Sequence, residues 1–158
     1  MPKIIKRPVR VLLLIHGSGI TGPGRCVSAI AKYIDRKEFS LNVLCPKDGY
    51  LADDLRSIGV KVIPLEAKRL WSPESVIYAW VALRKEHYHI FHVNSGQLNA
   101  FSRIVGKLLG IPAIIVTEHL CAESHVWIKN KTALLAHITL QRIPNMMVDK
   151  VIAVSEAA

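Results

Sequence analysis

The sequence predicts an α/β domain, a Rossmann-like three-layer α/β/α sandwich built on a mainly parallel six-stranded sheet. Two observations carry this expectation. Short apolar runs with β-branched residues recur along the chain, as in Val11-Leu12-Leu13-Leu14-Ile15, Ile114-Ile115-Val116 and Val151-Ile152-Ala153-Val154, and such runs suit strands buried on both faces. The segments between them carry apolar residues at helical spacing. Strand–helix alternation of this kind gives a parallel sheet flanked by helices on both faces, joined by right-handed crossovers.

The elements follow in order. Val9 to His16 reads as the first strand, and the spacing of Val27, Ile30, Ala31 and Ile34 predicts a helix from Pro23 to Asp35. Leu41 to Cys45 is a second strand; Leu51, Leu55 and Ile58 mark a short helix that Gly59 ends, since a glycine adopts the left-handed conformation of a helix C-terminus without penalty. Val60 to Pro64 is a third strand. Ser72 can cap and Pro73 can open a helix running to Lys85, because proline has no N–H to lose in a first turn. Ile90 to Val93 is a fourth strand, and Phe101, Ile104, Val105 and Leu108 mark a helix closed by Gly110. Ala113 to Val116 is a fifth strand. A helical stretch from Val126 to Met147, interrupted by Pro144, leads to a sixth strand from Val151 to Val154. That last run, like the others, reads as buried on both faces.

At 158 residues the chain is one domain, large enough to bury about 70% of its unfolded surface. A composition of 51% hydrophobic and 21% charged residues excludes disorder. Cys26, Cys45 and Cys121 are odd in number and widely spaced, which suits reduced thiols in a cytoplasmic protein better than disulfides or zinc. The net charge of +9 favours anionic partners. Nucleic acid fits poorly, because the basic residues are scattered and only 6% of the chain is aromatic. No apolar run reaches the roughly 18 to 20 residues of a membrane span. Arg69, Leu70, Trp71, Lys129, Lys131 and Arg142 suit peripheral contact with acidic lipid at the inner face of the cell membrane.

In sheets of this kind ligands bind beyond the carboxyl ends of the strands, which directs attention to the loops that follow them. Gly17-Ser18-Gly19-Ile20-Thr21-Gly22 matches the dinucleotide pattern G-x-G-x-x-G. Gly22-Pro23-Gly24 then opposes an early helix start, and Leu44-Cys45-Pro46 stands where the acidic ribose partner belongs. A P-loop fails because Pro23 occupies the position of its lysine. What the loop still offers is a helix N-terminus near Gly24 and Arg25, where backbone N–H groups can hold a phosphate or a hydroxyl. A plain surface turn is the plainer reading of the same glycines. His87, His89 and His92 are close in sequence, but His89 and His92 point to opposite faces of a strand and no carboxylate or cysteine joins them, so no metal site is expected. His92 and Asn94 share one face at the end of the fourth strand. Thr117-Glu118-His119 follows the fifth strand, and a histidine there can bond a sugar hydroxyl or a phosphate oxygen near neutral pH. His16 closes the first strand and reads equally as a satisfied buried residue.

These pieces arrive in an order that resembles one known family. GPGR at 22 to 25 precedes Ile30-Ala31, HIFHVNS lies at 89 to 95, GIPAIIVTEH at 110 to 119 and VDKVIAVSEA at 148 to 157. Together they resemble the N-terminal domain of family 4 glycosyltransferases of the GT-B fold. The resemblance implies a retaining transfer of a sugar from a nucleotide-sugar donor to an acceptor such as a glycan or lipid-linked glycan, without a cofactor. It implies His119 as the catalytic residue near the transferred sugar, with Gly22 and Gly24 reaching the donor phosphates. Arg25, His92, Asn94, Ser95 and Glu118 complete the expected substrate-binding set. The family's His-x-His has Asn94 in its second position here, and Pro23 interrupts the usual glycine pair. Residues 1–158 then read as the acceptor-side domain of a two-domain enzyme, with the donor domain and its paired glutamates absent from the sequence and the chain alone inactive. The alternative is a stand-alone module that binds a nucleotide or a sugar phosphate.

Overall fold

The structure is a computed structural model, and it describes residues 8–65, 73–94, 99–119 and 146–154. Among these residues ten elements follow in order: β1 (Val9–Leu14), α1 (Gly22–Tyr33), β2 (Phe39–Cys45), α2 (Tyr50–Ser57), β3 (Lys61–Pro64), α3 (Pro73–Lys85), β4 (Ile90–Asn94), α4 (Asn99–Leu108), β5 (Ala113–Glu118) and β6 (Lys150–Ala153). The six strands form one sheet in the order β3-β2-β1-β4-β5-β6, and every pairing is parallel. The Rossmann-like expectation therefore holds, and the strand order reverses direction between β1 and β4.

The alternation of side chains along each strand separates two cores. Leu13, Ile15, Val43 and Cys45 pack with Val27 and Ala31 of α1 and with Leu51, Ala52 and Leu55 of α2. Leu12, Leu14, Phe91, Val93 and Val116 pack on the other face with Ala79, Ala82 and Leu83 of α3 and Val105 of α4. Helix α4 lies close to the sheet because Gly106 has no side chain: a Cβ there would stand 3.1 Å from Phe91 Cδ1 and 3.2 Å from Ile114 Cδ1. Burial raises the Cys45 thiol to about 11, so it stays protonated, and Cys26 is only half-buried.

Several boundaries differ from expectation. β1 ends at Leu14 rather than His16, although Ile15 N still donates to Leu44 O (3.0 Å). α1 begins earlier, at Gly22, because Thr21 caps it: Gly24 N donates to Thr21 Oγ1 (3.3 Å). β5 runs on to Glu118, which places Thr117 and Glu118 within a strand. Leu108, expected on the buried face of α4, is 72% exposed. β6 is the clearest correction. It occupies a sheet edge and pairs only with β5, and Val151 and Ile152 are 54% and 43% exposed rather than buried on both faces. Its start is fixed by Asp149, whose N donates to Ile114 O (2.9 Å) while its Oδ2 accepts from Ile114 N (2.8 Å). Ser72, most of the helical stretch expected over 126–147, Cys121 and the basic residues at 69, 129, 131 and 142 lie outside the described residues, and Met146 and Met147 form a turn.

Candidate functional site at the carboxyl rim of the sheet

Because β1, β4 and β5 are parallel neighbours, their carboxyl ends share one rim. β1 leads into α1 on one face of the sheet, and α4, which follows β4, lies on the other. Connections that diverge in this way leave a crevice between the two strands, the usual ligand position in open α/β sheets.

On the β1 side the glycine loop is held by its own backbone. Ser18 O accepts from Leu51 N (3.1 Å), which ties the loop to the start of α2. A Cβ on Gly24 would stand 2.4 Å from Gly19 O, whereas one on Gly22 meets nothing within 4 Å. Gly24 is thus required for loop–helix packing, and Gly22 is open. The first turn of α1 also offers fewer free donors than expected, since Pro23 has no N–H, Gly24 N is capped by Thr21, and Arg25 N donates to Thr21 O (2.9 Å). Arg25 itself is exposed. Gly24 and Arg25 line a groove of about 580 Å³ between α1 and α2, with Ser28 hydrogen-bonded to Asp54 on its wall; His92, Asn94 and His119 are not part of it.

On the β4–β5 side the polar residues form a short ladder. Asn94 lies opposite Thr117 and His92 opposite Ile115, so each side chain reaches its partner one step diagonally. His92 Nε2 is 2.8 Å from Thr117 Oγ1, and His119 Nε2 hydrogen-bonds Asn94 Oδ1. Burial, and secondarily the charge of His119, push the His92 imidazole down to about 4, so it is neutral. His119 is also lowered by burial, opposed by the neighbouring Glu118 carboxylate. Asn94 is 0% exposed, and its Nδ2 has no partner among the described residues.

Glu118 points the other way, toward α4, where its Oε1 accepts from Arg103 Nη2 at 3.1 Å. Arg103 is 1% exposed. A buried guanidinium is tolerated only with a carboxylate partner, so Glu118 has a structural task that explains its identity. Sequence reasoning overlooked Arg103. Its signal is a lone charge within Phe101-Ser102-Arg103-Ile104-Val105, facing an acidic residue at the end of the next strand. His16, two residues beyond the end of β1, carries a buried Nε2 with no partner among the described residues, and burial lowers it to about 4. Of the expected residues, the structure joins Asn94 to His119 directly and sets His92 one layer below them. Gly22, Gly24 and Arg25 stand at the N-terminus of α1 on the same rim, Glu118 turns to the opposite face, and Ser95 lies outside the described residues. His89 is accounted for structurally, since its Nδ1 accepts from Arg10 N (2.9 Å). No metal-binding group of three or more ligands occurs among the described residues.

The fold is shared with proteins of known structure. MurG of Acinetobacter baumannii superposes with a TM-score of 0.63 at 10% identity over 96% of this chain and 43% of its own. HepE of Anabaena, solved with UDP and glucose, gives 0.67 at 16% identity over 94% of this chain and 39% of its own. A curated Escherichia coli relative, UDP-Gal:alpha-D-GlcNAc-diphosphoundecaprenol alpha-1,3-galactosyltransferase, is 28% identical over 90 residues, which is 54% of this chain and 23% of that protein. The chain thus spans less than a quarter of that relative and under half of the two solved structures. The model of Glycosyltransferase Family 4 matches residues 20–158. With its parallel Rossmann-like sheet and a match over most of its length, the chain belongs to glycosyltransferase family 4.

Proposed function

We propose that this chain forms the acceptor-side half of a retaining glycosyltransferase that moves a hexose from a nucleotide-sugar donor to a glycan or lipid-linked acceptor. The observation that carries the reading is the Asn94–His119 pair at the rim, with a buried amide donor left unpartnered. An orphaned buried donor costs about 1–3 kcal/mol unless something bonds it, and a sugar hydroxyl entering the crevice would do so. The galactosyltransferase relative supports a UDP-hexose donor and a lipid-linked acceptor.

The geometry supports this chemistry. Departure of a nucleoside diphosphate develops negative charge, which the positive end of α1 beside the open Gly22, together with Arg25, would stabilise. His119 and Asn94 would hold the transferred sugar by its hydroxyls, while a second domain closing over the rim would exclude water and suppress hydrolysis. On this reading the enzyme works at the cytoplasmic face of the membrane, with basic residues providing peripheral contact. No helix among the described residues is long and apolar enough to cross a membrane.

In the whole enzyme, His119→Ala should lower turnover by about 10² or more, as for removal of a transition-state donor; turnover like the wild type's would remove His119 from the site. Calorimetry of the 158-residue chain with UDP-galactose separates the alternative. Micromolar affinity of the chain alone would favour a self-sufficient binding module, and much weaker binding the half-site.

A further inference from the structure

The groove of about 580 Å³ between α1 and α2 starts at the glycine loop on the rim and runs down to the last turn of α1. Its walls are two helical stripes. Arg25, Ser28, Ala29 and Lys32 recur at i, i+3, i+4 and i+7 of α1, and Tyr50 and Asp54 at i and i+4 of α2, so each set shares one face. Packing does not require these residues. Val27 and Ala31 hold α1 against the sheet and Leu55 holds α2, whereas Tyr33 and Tyr50 are 78% and 58% exposed. Ser28 Oγ donates to Asp54 Oδ2 across the middle of the groove. A carboxylate has about four lone-pair sites, so one serine leaves Asp54 able to accept from further hydroxyls. Arg25 stands near the rim and Lys32 about 10 Å further along α1, at 1.5 Å per residue. Neither forms an ion pair with a carboxylate among the described residues, and Lys32 Nζ lies 5.6 Å from the centre of the Tyr33 ring.

We propose that this groove is a saccharide site for an acidic glycan, holding the non-reacting sugars of the acceptor behind the unit presented at the rim. Each part of the lining matches one part of such a ligand. The exposed rings of Tyr33 and Tyr50 offer flat apolar faces with a polar tip, which suit the C–H faces of sugar rings. Asp54 accepts from hydroxyls. Two cations against one carboxylate leave the groove positive, so a sugar carboxylate is favoured at the Lys32 end. A lipid diphosphate fits less well, because Asp54 would repel it and the Ser28–Asp54 bridge interrupts any continuous apolar trough for its chain. That the glycan is an acceptor rests on the transferase reading above; the saccharide chemistry of the groove does not.

The test titrates the ¹⁵N-labelled 158-residue chain with cellobiuronic acid, with neutral cellobiose and with inorganic phosphate, read by amide shifts. The acidic disaccharide should give saturable shifts at Ser28, Lys32 and Asp54, cellobiose the same shifts about threefold more weakly, and phosphate none that saturate. Equal affinity for phosphate would reduce the groove to an anion site and overturn the proposal, as would the absence of saturable shifts with either sugar. Tyr50→Ala should weaken both sugars about tenfold and Tyr50→Phe by less than about twofold. Lys32→Met should abolish the preference for the acidic sugar. Both side chains are exposed, so these variants keep the fold, and unchanged affinity in Tyr50→Ala also overturns the proposal. If the disaccharide shifts the groove while His119→Ala keeps its turnover in the whole enzyme, the saccharide site holds and the transferase reading loses its site. If the groove stays still while that variant loses turnover, the groove proposal falls and the transferase reading stands.

Discussion

The two ends of β4 treat polar groups in opposite ways. Before the strand begins, His89 Nδ1 accepts from Arg10 N. Away from the rim, in β2, Asn42 Nδ2 donates to Tyr88 Oη (2.8 Å) and Glu86 Oε2 (3.0 Å), and Lys61 Nζ donates to Glu86 Oε1 (2.6 Å). Lys61 holds the Glu86 carboxyl below its ordinary range, and burial pushes the Tyr88 hydroxyl up to about 12. At the far end of β4 and the neighbouring β1, Asn94 Nδ2 and His16 Nε2 are buried and unpaired among the described residues. Folding saturates polar groups where it can, so donors and acceptors left over at one rim are what the proposed binding site would use.

The largest effect expected lies within the rim. Gly24→Ala would force a methyl group to 2.4 Å from Gly19 O and should cost about 3 kcal/mol, the upper range for overpacking. Gly22→Ala, with open space around it, should change stability by less than about 1 kcal/mol. Urea unfolding of the two variants checks this, and equal losses would show that the loop packs differently.

Acid should expose the rim next. His16 and His92 are each lowered to about 4 in the folded chain, below an unfolded value of about 6.5. Above the unfolded value both states are neutral and neither histidine affects stability. As pH falls through the unfolded value, the unfolded chain takes up protons that the folded chain refuses, and stability drops until the folded value is passed. The loss at about pH 5 should be about 2 kcal/mol per histidine. His16→Gln should remove its share of that slope, and an unaltered slope would show that His16 is protonated when folded.

The smallest pair of effects tests the comparison itself. Asn42→Leu removes the amide that donates to both Tyr88 Oη and Glu86 Oε2 and should destabilise by about 2 kcal/mol. Asn94→Leu removes an amide donor that the fold leaves unpaired, together with the Oδ1 that bonds the half-buried His119, and should cost about 1 kcal/mol, less than Asn42→Leu. Chemical denaturation of both variants decides the matter, and a loss at Asn94 larger than that at Asn42 would mean that Asn94 Nδ2 is also satisfied within the chain.

Much of this was legible beforehand. Runs such as Leu12-Leu13-Leu14-Ile15 and Ile114-Ile115-Val116 announce central parallel strands, and the motif around Asn94 and His119 places both at strand ends that the sheet then joins. β6 misled because an apolar β-branched run looks the same in a central strand and at an edge; which it becomes depends on strands elsewhere in the chain. The glycine loop misled in a subtler way. Gly24 looks like a ligand-facing glycine, but the reason for it is the carbonyl of Gly19, a tertiary contact that no spacing rule encodes. Arg103 escaped because its partner Glu118 lies 15 positions away, across a helix and a turn.

Ser18 offers its carbonyl to Leu51 and crowds Gly49, whose φ of +117° and missing side chain leave just enough room. The turn after the first strand is therefore latched to the turn after the second. A guest pressing on the former would pull on the latter, so Lys47, Asp48 and Tyr50, which need not touch that guest, would register its arrival as a shared mechanical displacement.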